Sequence, residues 1–161
     1  MLTLKRLSVH KRMSEETTAF NADVYWKGKF IGPAENTGKG GCTHIRPGGD
    51  HAAYTEAQAW ARTQPMMLDG KQATAHGGEL MFLTLDEAVD EVVYRESSLK
   101  ELRRLLKAKT VFVQADKPGY FAYKAAFTPE LEARIKADHP GATILNALPE
   151  EQALKIFMEQ C

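Results

Sequence analysis

Between Ala19 and Trp26 apolar and polar residues alternate. Phe20, Ala22, Val24 and Trp26 fall on one face, and Asn21, Asp23 and Tyr25 on the other. That period predicts a half-buried strand whose second face meets solvent or lines a groove. Lys27-Gly28 follows as a hairpin turn signal, and Lys29–Ala34 returns as the partner strand. Pro33 has no N–H for a ladder, so this partner is expected at a sheet edge, or to end there. Upstream, Leu2–His10 predicts a first strand. Leu2 and Leu4 share a face while Leu7 and Val9 switch to the other, and a bulge after Leu4 restores one apolar face. Met13–Thr18 reads as a short turn, because Ser14 followed by Thr17 falls short of a capping box and no long helix follows. Cys42–Arg46 predicts a short third strand inside a glycine-rich stretch.

Helical spacing dominates the remainder. Residues 53–64 predict a helix capped by Thr55, with Ala57, Trp60 and Ala61 on its apolar face and Pro65 as its stop. Asp69-Gly70 and Gly77-Gly78 mark residues 66–79 as a loop or hairpin, and Glu79–Thr84 as a strand or a lead-in to the next helix. From about Leu85 to Lys107 the residues Leu85, Ala88, Val89, Val92, Leu99, Leu102 and Leu106 recur at three- and four-residue steps. Acids load the first turns of this long helix and bases the last, which complements its dipole. Ser97-Ser98 is a candidate kink. Thr110–Gln114 and Tyr120–Ala126 then predict a second hairpin. Thr128-Pro129 opens a helix with a cap and a first-turn proline, and Pro140-Gly141 closes it. Ala142–Leu145 is a short strand, and Pro149 starts a last helix through Met158.

The fold class read from this pattern is α+β. An antiparallel N-terminal hairpin unit carries the glycine-rich loop, and a long amphipathic helix packs on a small sheet. The 161 residues fit one domain, 1–161, with a soft internal boundary near 65–80. An apolar fraction of 43% and a charged fraction of 26% are ordinary for a globular protein. Formal charge is zero, with 21 cations and 21 anions, which argues against a DNA mimic and against a histone-like binder. Residues 1–13 nonetheless hold Lys5, Arg6, Lys11 and Arg12 without an acid. Two cysteines, Cys42 and Cys161, do not make a disulfide framework. No apolar leader is visible and no apolar run approaches a membrane span, so a cytoplasmic, soluble protein with no membrane partner is expected.

Candidate chemistry concentrates in Asn36–His51, which holds five glycines, Cys42, two histidines, Lys39 and Arg46. Glycines let backbone N–H groups converge on an anion, and Lys39 and Arg46 would add charge. The spacing matches neither a P-loop nor a dinucleotide fingerprint, and turn geometry accounts for the same glycines. Cys42 beside His44 or His51 has the makings of an activated thiol, or of a buried structural one. Cys42, His44 and His51 are also zinc-type ligands, with Asp50, His76 or water as the fourth, though the spacing fits no strong template. No metal and no cofactor is implied. On the hairpin, Tyr25, Trp26 and Phe30 beside Lys27 and Lys29 offer the aromatic groups and cations that single-strand binding uses. The candidate binding residues are therefore Tyr25, Lys27, Lys29, Lys39, Cys42, His44, Arg46 and His51.

The order Ser14-Glu15-Glu16-Thr17, Ala19-Phe20, Ala22, Tyr25, Gly28-Lys29, Gly32, Asn36, Gly38, Gly40-Gly41 resembles a group of short uncharacterised proteins of phage and mobile-element genomes. The likeness is strongest over residues 8–45. It carries no residue roles, but it implies a genomic setting. Small accessory proteins of that setting often bind a host protein or nucleic acid, some of them to block antiviral defence. The expected function is accordingly an accessory protein that binds a host macromolecule, with a protein or protein complex as first partner. The alternatives are a small enzyme or ligand binder using the Cys/His loop, and a single-stranded nucleic-acid binder.

Overall fold

The computed structural model describes residues 1–68 and 71–160. Asp69-Gly70 of the expected loop and Cys161 lie outside the described residues. The architecture is α+β with antiparallel sheets, and it divides into two compact units, Met1–Tyr94 and the chain from Arg95 onward. The division falls inside the long helix, later than the 65–80 region that the sequence suggests.

In the first unit, β1 (Leu2–Val9), β2 (Phe20–Trp26), β3 (Lys29–Asn36) and β4 (His44–Ile45) form one sheet in chain order. Phe20, Ala22, Val24 and Trp26 all point into the core, as their alternation requires. The bulge in β1 is present. Lys5 pairs with Asp23 and Ser8 with Asn21, so Arg6 and Leu7 together oppose a single residue. Arg6 takes the left-handed conformation, φ 52°, and this extra residue returns Leu7 and Val9 to the core side. Lys27 and Gly28 form a tight turn with φ 48° and 83°.

Pro33 does not lie in an edge strand. β3 is flanked by β2 and β4 and continues to Asn36. The proline is tolerated because its carbonyl, and hence its missing N–H, faces β4, where Arg46 N–H donates to Pro33 O at 3.0 Å. The pairing there spans only two residues, so one absent donor costs little.

α1 (His51–Ala61) starts earlier than expected, and its cap is Asp50, not Thr55. Asp50 accepts from Ala53 N–H at 2.8 Å, while Thr55 bonds His51 O within the helix. Ala53, Ala57 and Ala61 place α1 against the inner face of the sheet, where the start of α2 (Leu85–Ala108) joins them through Leu85, Ala88, Val89 and Val93. Between the helices, β5 (Met67–Leu68), β6 (Lys71–Gln72) and two isolated bridges, Pro65–Phe82 and Thr74–Leu80, fold residues 65–68 and 71–83 into a small meander.

Thr84 and Glu87 cap α2 reciprocally. Glu87 Oε2 accepts from Thr84 N–H at 2.7 Å, and Glu87 N–H donates to Thr84 Oγ1 at 3.3 Å. The helix runs unbroken through Ser97-Ser98, since serine is only about 0.5 kcal/mol poorer than alanine in a helix interior. Thr84→Ala removes one arm of the box. It is expected to cost about 1 kcal/mol, measured as a lower urea midpoint at unchanged slope.

The second unit orders its sheet β8 (Lys117–Tyr123), β7 (Thr110–Gln114), β9 (Thr143–Ile144). Val111 and Val113 face the end of α2 and α4 (Glu150–Met158), with Leu102, Leu105, Leu154 and Phe157 filling that side. Phe112 faces the other way onto Ile135 of α3 (Pro129–Asp138), and His139 stacks on it at 5.1 Å. Thr128 caps α3 as its sequence predicts.

Candidate functional site

The outer face of the four-stranded sheet is the side away from the α1 core. Register puts Lys5, Asp23, Tyr25, Glu35 and His44 on it, because their neighbours along each strand point inward. The bulge adds Arg6. In the left-handed conformation its side chain swings to this face, where Nε donates to Asp23 Oδ2 at 2.5 Å. The Asp23 side chain is only 12% exposed and the Arg6 side chain 81%, so the carboxylate is the anchor and the guanidinium the part on offer. Across the face, Arg46 Nη2 donates to Glu35 Oε1 at 2.5 Å and stays 70% exposed. Between the two ion pairs lies a cleft of about 250 Å³, lined by Arg6, Asn21, Asp23, Pro33, Glu35 and Arg46. Two residues along β2 from Asp23, the Tyr25 ring packs against Phe30 at 5.5 Å, and Lys5 Nζ sits 4.1 Å above it.

Of the residues singled out from the sequence, Arg46 lines this cleft and Tyr25 lies beside it. Lys27 and Lys29 are engaged elsewhere. Lys27 pairs with Glu56 of α1, and Lys29 Nζ donates to Asp50 Oδ2 at 2.8 Å. These bonds hold the Glu56 and Asp50 carboxyls below their ordinary values and raise Lys29. The Lys27–Glu56 pair also borders a shallow groove beside Trp26 and Trp60, whose rings meet at 5.0 Å. Lys39, Cys42 and His51 are exposed, and none of them lines the cleft. His44 is exposed on β4, near enough to Asp86 of α2 to oppose the rise that burial imposes on that carboxyl. Among the described residues no group of three His, Cys, Asp or Glu side chains is gathered as metal ligands would be.

The glycine-rich stretch is used by the backbone. After β4 the chain keeps running along β3, with Gly48 N–H donating to Ile31 O at 3.3 Å and Asp50 N–H to Phe30 O at 2.9 Å. A Cβ on Gly49 would sit 2.0 Å from Phe30 O, and one on Gly32 2.1 Å from Arg46 O, so both approaches need glycine. At the other end Gly38 O accepts the successive N–H groups of Glu15, Glu16 and Thr17 at 2.9, 3.0 and 3.3 Å. The nest that those amides form is filled by a carbonyl of the chain itself.

Asn36, buried under this junction, holds it together. Its Oδ1 accepts from Thr17 Oγ1 at 2.9 Å and Gly38 N–H at 2.8 Å, and its Nδ2 donates to Gly41 O at 3.1 Å and Thr43 Oγ1 at 3.2 Å. Thr43 in turn donates to Asp90 of α2. Glu15, Glu16, Thr17, Asn36, Gly38, Gly41 and Thr43 thus form one connected network that clamps the β1–β2 loop to the glycine loop.

Composition marks Lys5 and Arg6 as part of the acid-free basic segment 1–13, and alternation puts Asp23 on the outward face of its strand, but neither places Arg6 beside Asp23, and Glu35 carries no signal. The local signal for Arg6 is the phase change between Leu4 and Leu7, since a bulged residue is re-aimed to the opposite face. No helix among the described residues is long and apolar enough to cross a membrane. No protein-family model, curated protein or solved structure matches the chain.

Proposed function

We propose that the chain is a non-catalytic accessory protein of the phage or mobile-element kind, which acts by docking on a host protein, as inhibitors of antiviral defence do. The observation that carries this reading is the apolar surface of the 65–83 meander. Met67, Leu68, Leu80, Met81 and Phe82 are all exposed there, five of the nine large hydrophobic side chains exposed among the described residues. Single exposed apolar residues are ordinary, whereas a cluster marks an interaction surface. Two methionines make the patch adaptable to a partner's shape.

The test compares the wild-type chain with Leu68→Glu/Leu80→Glu in cross-linked pull-downs from host lysate. Both positions are more than half exposed, so the double variant should keep its thermal midpoint, surface substitutions costing within about 0.5 kcal/mol each. A stoichiometric host protein captured by the wild type and lost with the variant is the expected result. Equal capture by both, or no stoichiometric capture by the wild type, ends the reading.

A further inference from the structure

We infer that the partner segment which docks on the apolar meander is basic and amphipathic. Its apolar side chains would cover Met67, Leu68, Leu80 and Phe82, and its Lys or Arg side chains would meet the carboxylates of Glu79, Glu87 and Glu91. The inference rests on the docking reading above and adds the partner's chemistry to it.

Charge distribution is the first argument. Residues 65–94, which carry the patch and the first part of α2, hold six Asp and Glu against one Lys, a net charge of −5. Residues 1–64 hold nine Lys and Arg against six Asp and Glu, so the acid of this unit is concentrated in the segment that bears the patch. A field of that sign attracts a cationic segment and repels nucleic acid and anionic lipid alike.

Placement is the second. Glu79 is exposed and directly precedes Leu80. Glu87 Oε2 accepts from Thr84 N–H at 2.7 Å, and Thr84 follows Phe82 by two residues, at most about 8 Å of chain. Glu91 is exposed one helical turn beyond Glu87. The three carboxylates therefore border the apolar side chains that a partner would cover.

The third is what these acids lack. Asp50, Glu56, Glu150 and Glu151 each meet a Lys or Arg of the chain itself. Glu79, Glu87 and Glu91 form no ion pair among the described residues. The helix dipole accounts for acids in the first turn of α2, but its effect falls off there. Glu91 lies in the second turn, where it repels Glu87 at i, i+4 and weakens the helix. An ammonium or guanidinium group between the two would turn that repulsion into attraction.

The test is fluorescence anisotropy of the full chain with a labelled Lys/Leu peptide of about 18 residues, roughly five helical turns, patterned for one apolar face. A Glu/Leu peptide of the same pattern is the comparison. Saturable binding of the Lys/Leu peptide alone is expected. Glu87→Gln/Glu91→Gln should weaken it about 5-fold, the sum of two exposed ion pairs, while glutamine keeps an oxygen for the Thr84 cap. Raising ionic strength from about 0.1 M to about 1 M, which shortens the screening length from about 10 Å to about 3 Å, should erase the difference between this variant and the wild type. Asp116→Asn/Glu159→Gln, which removes two exposed acids from the second unit, should leave the affinity unchanged. Leu68→Ser/Leu80→Ser removes apolar surface without adding charge and should also weaken binding. Circular dichroism checks that each variant keeps its fold. Full binding by Leu68→Ser/Leu80→Ser would end the docking reading itself. Full binding by Glu87→Gln/Glu91→Gln would end the basic partner alone, as would equal affinity for the Glu/Leu peptide, equal weakening by Asp116→Asn/Glu159→Gln, or no saturable binding of the Lys/Leu peptide. A wild-type dimer in sedimentation that Glu87→Gln/Glu91→Gln dissolves would make the occupant a second copy of the chain, and would overturn the assignment to a foreign segment.

Discussion

Gly38→Ala is expected to remove about 4 kcal/mol of stability, a large part of the 5–15 kcal/mol that holds a domain of this size. Gly38 has φ +84°, which costs a residue with a Cβ about 1–2 kcal/mol. The added Cβ would also lie 2.2 Å from Met13 O and 2.8 Å from the Ala19 Cβ, and neither neighbour is a flexible side-chain tip. Relief requires the 13–19 loop to draw back. Gly38 O would then lose the three N–H groups that converge on it, at roughly 1 kcal/mol for each hydrogen bond left unmade. Urea unfolding followed by circular dichroism measures the loss. Gly41→Ala is the control, because a Cβ there meets nothing within 4 Å, and it should stay within about 0.5 kcal/mol of wild type. A Gly38→Ala midpoint close to the control would show that the loop and the glycine stretch are not locked together.

The same junction explains why the most eye-catching stretch of the sequence misdirects a search for chemistry. Glycines beside Cys42, His44 and His51 look like a cradle with reactive groups. In the fold the glycines let two backbones touch, and the reactive side chains are left on the exposed rim. Local pattern was sufficient wherever neighbours in sequence decide the outcome. The alternation of Phe20 to Trp26, the phase change that requires a bulge, the apolar stripe of α2 and the Thr128-Pro129 start are all of that kind.

Pattern was insufficient where a partner arrives from far along the chain. One miss was local: Asp50 caps α1 through Ala53, three residues on, although Pro47-Gly48-Gly49 gives no sign of a helix about to begin. Pro33 sits inside a sheet because its deficient side faces a two-residue strand. Lys27 and Lys29 look free beside Tyr25 until α1 brings Glu56 and Asp50 to them. Besides Arg46, the cations that share a face with Tyr25 are Lys5 and Arg6, and β1 supplies them across a pairing that no local window contains.

Thr43→Val and Asp90→Asn should separate cleanly, although both alter one hydrogen bond. Thr43 is fully buried and joins Asn36 to Asp90. Valine keeps its shape but leaves Asn36 Nδ2 with Gly41 O alone and deprives the Asp90 carboxylate of its donor. A hydrogen bond to a charged group contributes about 1.5–3 kcal/mol, so Thr43→Val is expected to cost about 2–3 kcal/mol at neutral pH. Asp90→Asn retains an oxygen to accept from Thr43 and removes a charge.

That charge is unfavourable in the folded state. Burial raises the Asp90 carboxyl above the ordinary aspartate value, Thr43 opposes the rise, and Asp86 and Glu87 add to it. The folded protein therefore holds the Asp90 proton more tightly than the unfolded chain does. Stability from this group is greatest below the ordinary aspartate pKa and declines as pH rises through the raised one. Asp90→Asn should match or exceed wild-type stability at pH 7 and lose that advantage towards pH 4. Glu91 is raised by burial as well and tilts both proteins alike, whereas Asp86, which repels the Asp90 charge, is relieved of that repulsion in Asp90→Asn and adds to its advantage at neutral pH. Thermal midpoints of the wild type, both single variants and the double variant across this range close the cycle. A Thr43→Val penalty that persists undiminished in the Asp90→Asn background would place the role of Thr43 with Asn36, and would remove Asp90 from the clamp.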